Sequence, residues 1–145
     1  MPTLIGIAYK TEKNGQMVTL DKANVTLSKG VENDIFGRPG KRQVTVMSIQ
    51  QWQQACHEVG KNLPWYTRRA NLLVDGISFT ASDKGKQLVV GKLILEITGE
   101  TDPCKKMAIA YPGLEKALQP DWRGGVTCRV LNNATVATSN IVTLK

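Results

Sequence analysis

A single histidine, His57, is the only imidazole in the chain, so any Ser-His-Asp or Cys-His mechanism would have to run through it. It stands beside Cys56 among polar neighbours on a helically spaced stretch, the setting of a surface histidine rather than a general base. Cysteine is nearly as scarce. Cys56, Cys104 and Cys128 are odd in number and far apart, which argues against a disulfide framework and leaves no Cys-x-x-Cys pair on which to build a zinc site. Such cysteine usage fits a reducing, cytoplasmic setting, in which the sequons at Asn24 and Asn133 are coincidental. A nucleotide-cradling Walker loop is missing as well, because Gly37-Arg38-Pro39-Gly40-Lys41-Arg42 lacks the Gly-Lys-Ser/Thr ending. Apolar runs are short. Leu4, Ile5, Ile7 and Ala8 near the start have no basic leader or cleavage pattern, so no signal peptide is expected, and nothing later approaches the length of a membrane span.

Positive charge is plentiful: 19 lysines and arginines against 12 acidic residues give a formal charge of +7. Such an excess points to an anionic partner such as phosphate, nucleic acid or a membrane surface, and equally serves solubility, so the clustering of the charges matters more than their sum. A chain of 145 residues reads as one domain, able to bury a core without staples.

Short strands dominate the pattern. They are expected at Leu4 to Tyr9, at Met17 to Leu20 after a Lys13-Asn14-Gly15 turn, and at Asn24 to Leu27. Ser28 to Lys41 is polar and glycine-punctuated and reads as a long functional loop. Gln43 to Met47 resumes as a strand. Ser48 and Gln51 then have capping-box spacing for a helix from Ile49 to Val59, closed by Gly60, with Ile49, Trp52, Cys56 and Val59 as its buried stripe. Further strands follow at Leu72 to Val74, Gln87 to Val90, Leu93 to Thr98, Val126 to Leu131 and Ile141 to Leu144, with a hairpin turn expected at Asn132-Asn133. The sum is a mainly β, barrel-like α+β domain with a few peripheral helices.

One stretch combines strand, helix and chemistry. Leu93, Leu95 and Ile97 alternate with Ile94, Glu96 and Thr98, and Gly99 ends the run. Asp102 offers an N-cap and Pro103 suits a first helical position, which puts Cys104 in the first turn. Unpaired N–H groups there, together with Lys105 and Lys106, favour the thiolate form. Cys104 is thus a candidate nucleophile or soft metal ligand. The alternative is structural: Cys104, Met107, Ala108 and Tyr111 have the spacing of a packed helix face, and free cysteines are often buried.

Arginines gather just before two strands, as Arg38, Lys41 and Arg42 and as Arg68 and Arg69. Guanidinium forks bind phosphate bidentately and keep their charge when partly buried, so Arg38, Arg42, Arg68 and Arg69 can form an anion pocket whose other end reaches Cys104. Solvated charges protecting strand edges are the plainer alternative.

Read in order, Gly30-Val31-Glu32-Asn33-Asp34, Gly37 through Thr45, Thr67-Arg68-Arg69-Ala70-Asn71-Leu72-Leu73-Val74, Gly91 through Gly99-Glu100 to Pro103-Cys104, and Arg123-Gly124-Gly125-Val126 resemble the MOSC domain, named for the molybdenum-cofactor sulfurase C-terminus. The resemblance spans nearly the whole chain. It implies a β-rich barrel and binding of the molybdenum cofactor (molybdopterin), with Cys104 as molybdenum ligand or persulfide carrier. It also implies that Arg69 and Asn71 of an Arg-x-Asn motif help hold the pterin phosphate; Lys41, Lys105 and Arg123 complete the cofactor-binding candidates. Many relatives carry a histidine two positions after the aspartate that Asp34 matches; here Phe36 stands in that place. Function then divides between a reductase of small N-hydroxylated substrates, fed by an external electron-donor protein, and a sulfur carrier loaded by a cysteine desulfurase. No membrane partner is expected. A nucleic-acid-binding module, suggested by Trp65, Tyr66 and Trp122 near arginines, is the weaker alternative.

Overall fold

The computed structural model describes all 145 residues. Its frame is a run of short strands: β1 (Thr3–Tyr9), β2 (Val18–Leu20), β3 (Lys22–Thr26), β4 (Gly30–Val31) and β5 (Val44–Ser48). Helix α1 (Ile49–Val59) then leads to β6 (Leu72–Asp75), β7 (Gln87–Val90) and β8 (Leu93–Glu100). Two short helices, α2 (Lys105–Ala110) and α3 (Leu114–Leu118), precede β9 (Val126–Val130), β10 (Ala134–Ala137) and β11 (Val142–Leu144). Eight strands form one curled sheet in the order β11-β7-β8-β9-β5-β6-β1-β2, and β10-β3-β4 form a second, three-stranded sheet. No ladder closes the large sheet. Its ends approach at a single bridge between Thr3 and Ile141, reinforced by Leu4 N–H donating to Asn140 O and Val142 N–H to Pro2 O. The expected β-rich, barrel-like fold with peripheral helices is therefore found as an open half-barrel.

The central strands explain the layering. β5 is buried at every position and β6 at all but its last, the pattern of strands covered on both faces. Val44, Val46, Leu72 and Val74 face the core inside the curl, with Leu95, Ile97, Val126 and Cys128. Met47 and Leu73 face the other way, into a smaller core with Trp52, Cys56, Met107, Leu114 and Leu118. The β5–α1–β6 crossover produces the one parallel pair of the sheet and brings α1 over this second face.

Helix α1 begins as expected, Ser48 Oγ accepting from Gln51 N–H at 3.4 Å. The reciprocal half of the capping box is absent. The Gln51 side chain instead donates to Phe79 O at 2.9 Å and Asp121 O at 2.8 Å and accepts from Phe79 N–H at 3.0 Å. The hairpin expected at Asn132-Asn133 does not form, because β10 leaves the large sheet to pair with β3. The two asparagines fasten the crossing: Asn132 Oδ1 accepts from Ile94 N–H, and Asn133 Oδ1 from Leu27 N–H, each at 2.8 Å. No helix is long and apolar enough to cross a membrane.

Candidate functional site

Strand register brings the chemistry to one end of the half-barrel. Ile7 near the end of β1 pairs with Leu72 at the start of β6, Leu72 with Val46, Val46 with Val126 at the start of β9, and Val126 with Glu100 at the end of β8. Lys10 after β1, Arg69 before β6 and Cys104 after β8 therefore emerge side by side. With Phe36, Arg42, Arg68, Thr101, Asp102, Lys106 and Met107 they line a pocket of about 190 Å³.

Cys104 is exposed, whereas Cys56 and Cys128 are buried. The packed-helix reading of Cys104 is corrected here: of the expected face only Met107 is buried, Tyr111 is half-buried and Ala108 is exposed. The helix also starts later than Asp102 and Pro103 suggest. Its N-cap is Cys104 itself, in extended conformation, and no side chain caps it. A bulge between Ile97 and Gly99 turns the end of β8 toward this segment, as bulges commonly do beside sites.

Arg68 holds the segment in place. It is buried, and its Nε donates to Gly124 O at 3.0 Å while Nη2 donates to Thr101 O at 2.8 Å and Asp102 O at 3.2 Å. One planar fork thus ties the segment that follows β8 to the segment that leads into β9. Gly124 makes the approach possible, since a Cβ there would collide with Thr101 O. Burial lowers the Arg68 guanidinium to about 10, against the raising effect of the Cys104 charge.

Arg69 lies with its guanidinium carbon 4.2 Å from the Phe36 ring centroid, and Lys10 Nζ stands 5.6 Å from the same centroid. Phe36 therefore organises two cations by stacking. Its loop is fixed rather than loose: Lys10 N–H donates to Asp34 Oδ1 at 3.1 Å, Ile35 N–H to Lys10 O at 2.9 Å, and Gln43 Nε2 to Leu27 O at 2.8 Å. Burial lowers both Lys10 and Arg69 from their ordinary values. Lys106 and Arg69 add to the effect on Lys10, and Asp34 opposes it at both. Burial and the neighbouring Asp102 raise the Glu100 carboxyl. Two buried oxygens beside this cluster, Asp34 Oδ2 and Thr101 Oγ1, have no hydrogen-bond partner.

Of the residues expected from sequence, Cys104, Arg42, Arg68 and Arg69 come together in this pocket, and Arg38, Lys41 and Lys105 are exposed outside its lining. Asn71 is fully buried. It ties strands together, Nδ2 donating to Ala8 O at 3.1 Å and Oδ1 accepting from Thr45 N–H at 3.0 Å. Arg123 is also buried, donating to Ala117 O at 2.9 Å and pairing with Glu58 at 2.7 Å. Its motif serves the fold through Gly125, whose φ is +96° and whose Cα leaves no room for a side chain beside Val46 O. Sequence reasoning missed Lys10 and Thr101, and it named Lys106 only for its effect on the thiol and Asp102 only as a cap. Lys10 carried a signal, being the first charge after an apolar strand, as Arg69 is a charge close before one. Trp65 and Trp122 both pack against the cores.

The family model of the MOSC domain matches residues 14–143. No curated protein sequence matches the chain. Among solved structures, the YuaD protein from Bacillus subtilis superposes with a TM-score of 0.82 at 17% identity, over 99% of this chain and 96% of that one. YiiM from Geobacillus stearothermophilus gives 0.76 at 17% identity over 100% and 75% of the two chains. YiiM from Escherichia coli gives 0.69 at 16% identity over 99% and 69%.

Proposed function

This chain belongs to the MOSC domain family, and from that premise we propose that its basic pocket binds a molybdenum cofactor, with the Cys104 thiolate as the protein's bond to the metal. The observation that carries the reading is an exposed thiol in a pocket lined by Lys10, Arg42, Arg68, Arg69 and Lys106. The donor set fits such a group. No three His, Cys, Asp or Glu side chains gather to hold an ion, so a metal bound through Cys104 would have to arrive with ligands of its own, and thiolate suits a thiophilic metal. The cations suit a phosphorylated ligand. The unpartnered Thr101 hydroxyl at the pocket wall adds a hydrogen-bonding group.

In this reading Arg42 and Arg69 hold the phosphate, and Arg68 positions the backbone that presents Cys104. Phe36 orients Arg69. When bound, the cofactor supplies two-electron redox chemistry, and the activity proposed is reduction of a small N-hydroxylated molecule with electrons from a separate donor protein. Incubation of the protein with molybdenum cofactor released anaerobically from a donor enzyme is expected to protect Cys104 from alkylation by iodoacetamide. Unchanged alkylation with the cofactor present would overturn the assignment.

The exposure of Cys104 also supports a second reading, a sulfur carrier. The Cys104 thiolate would attack the outer sulfur of a cysteine desulfurase persulfide, and the desulfurase thiolate would leave, with no net oxidation. Mass spectrometry after incubation with the desulfurase and cysteine would then find one added sulfur, lost in Cys104→Ala.

A further inference from the structure

A second compartment adjoins the Cys104 pocket. It has a volume of about 460 Å³ and lies between the β1–β2 turn, which contributes Gln16 and Met17, and the α2 face bearing Lys106, Met107 and Ala110. Lys10, Arg69, Lys106 and Met107 line both compartments, so the two meet at a waist of three cations. At about 190 Å³ the Cys104 compartment alone falls below the ~300–1,000 Å³ of ordinary small-molecule sites, whereas the second lies within that range.

Its lining has two chemical characters. Met17, Met107, Ala110 and the Tyr66 ring are apolar, and thioether sulfur packs well against flat rings. Tyr66 is 44% exposed yet is held edge-on to Trp65 with ring centroids 6.0 Å apart. Trp65 in turn lies so close over Gly6 that a Cβ there would collide with the indole. The cations are held too: Lys10 Nζ donates to Lys13 O at 2.9 Å, and Arg69 stacks on Phe36. No carboxylate lines the compartment. Inorganic phosphate would leave the apolar wall uncovered, and a neutral apolar guest would leave the cations unpaired. An apolar body carrying one anionic group answers to both.

We infer that this compartment is a binding site for a small organic acid, whose flat apolar body lies on Tyr66 and the methionines and whose carboxylate lies at the waist against Lys106 and Lys10. That such an acid is the molecule acted on beside Cys104 rests on the reading proposed above; its binding does not.

Calorimetric titration with 2-naphthoate tests the site, with 2-naphthalenemethanol as the uncharged analogue. Naphthoate is expected to bind one per chain, at least tenfold more tightly than the alcohol. Lys106→Ala is expected to weaken naphthoate at least tenfold and Tyr66→Ala at least threefold, while Cys104→Ala binds it as the wild type does. Both side chains lie at the surface, and circular dichroism verifies the variants' folds. Absent binding, equal binding of acid and alcohol, or wild-type affinity in both pocket variants would overturn the inference. Naphthoate binding of this pattern in a chain that takes up no molybdenum cofactor keeps the site and removes the cofactor reading; the reverse result removes the site alone.

Discussion

Arg68 and Asn71 show how residue type and residue role part company. Asn71 belongs to the Arg-x-Asn motif expected to hold a phosphate and Arg68 directly precedes it, yet Arg68 hydrogen-bonds three backbone carbonyls and Asn71 bridges strands with no exposed surface. Arg68→Ala leaves buried carbonyls without donors and is expected to destabilise the chain by about 3 kcal/mol in urea denaturation. Arg68→Lys should recover little, because a point charge cannot span three acceptors. Asn71→Ala is expected to cost about 2 kcal/mol with or without a bound anion; a loss confined to anion binding would instead assign Asn71 to the ligand. The reactive residue types, Cys104 and the arginines, were legible because thiols and guanidinium forks have few uses. Which polar groups are buried was not. The partner of Asn71, Ala8, lies 63 residues away, and only strand order brings it near.

At the level of elements, apolar alternation and a strong cap were readable, so β1, β5, β6, β8 and α1 appear close to where alternation and Ser48 place them. β4 and β10 were not: β4 has two residues, too few for periodicity to register, and β10 buries only Val136. α2 was displaced by two residues because the carboxylate of Asp102 is not used as a cap, the backbone there being held by Arg68 instead. Where side chains do cap, titration follows. Asp83 is buried in a reciprocal box with Thr80 and pairs with Lys86 at 2.9 Å. Burial acts to raise it, but hydrogen bonds from Lys86 and Thr80 and the Lys86 charge outweigh that and hold it below its ordinary 3.8. Its folded value is depressed, so its stabilisation is fully present above pH 3.8 and is lost as pH falls through the folded value. Asp83→Asn should therefore lower the midpoint of urea unfolding at neutral pH, with the gap from the wild type closing only in strong acid. A gap independent of pH would contradict the assignment.

Taken whole, the molecule is an open half-barrel with two cores, one inside the curl and one beneath the helices, and five of its cations gather in the pocket lined from the segments that flank β1, β5, β6 and β8. Cations held together partly out of water are unfavourable until an anion joins them. Inorganic phosphate at ten times its dissociation constant is thus expected to add about 1.4 kcal/mol of stability, read as a thermal shift absent from chloride controls of equal ionic strength and from Arg42→Ala/Arg69→Ala. The central claim is that Cys104 and this cationic pocket together hold a molybdenum cofactor. Its most direct measurement is the molybdenum and pterin content of protein purified without oxygen from a host that makes the cofactor, with Cys104→Ala prepared alongside. Near-stoichiometric molybdenum and pterin in the wild type, with the metal lost from the variant, is the predicted result; a wild-type chain with neither, or a variant that keeps both, would contradict it.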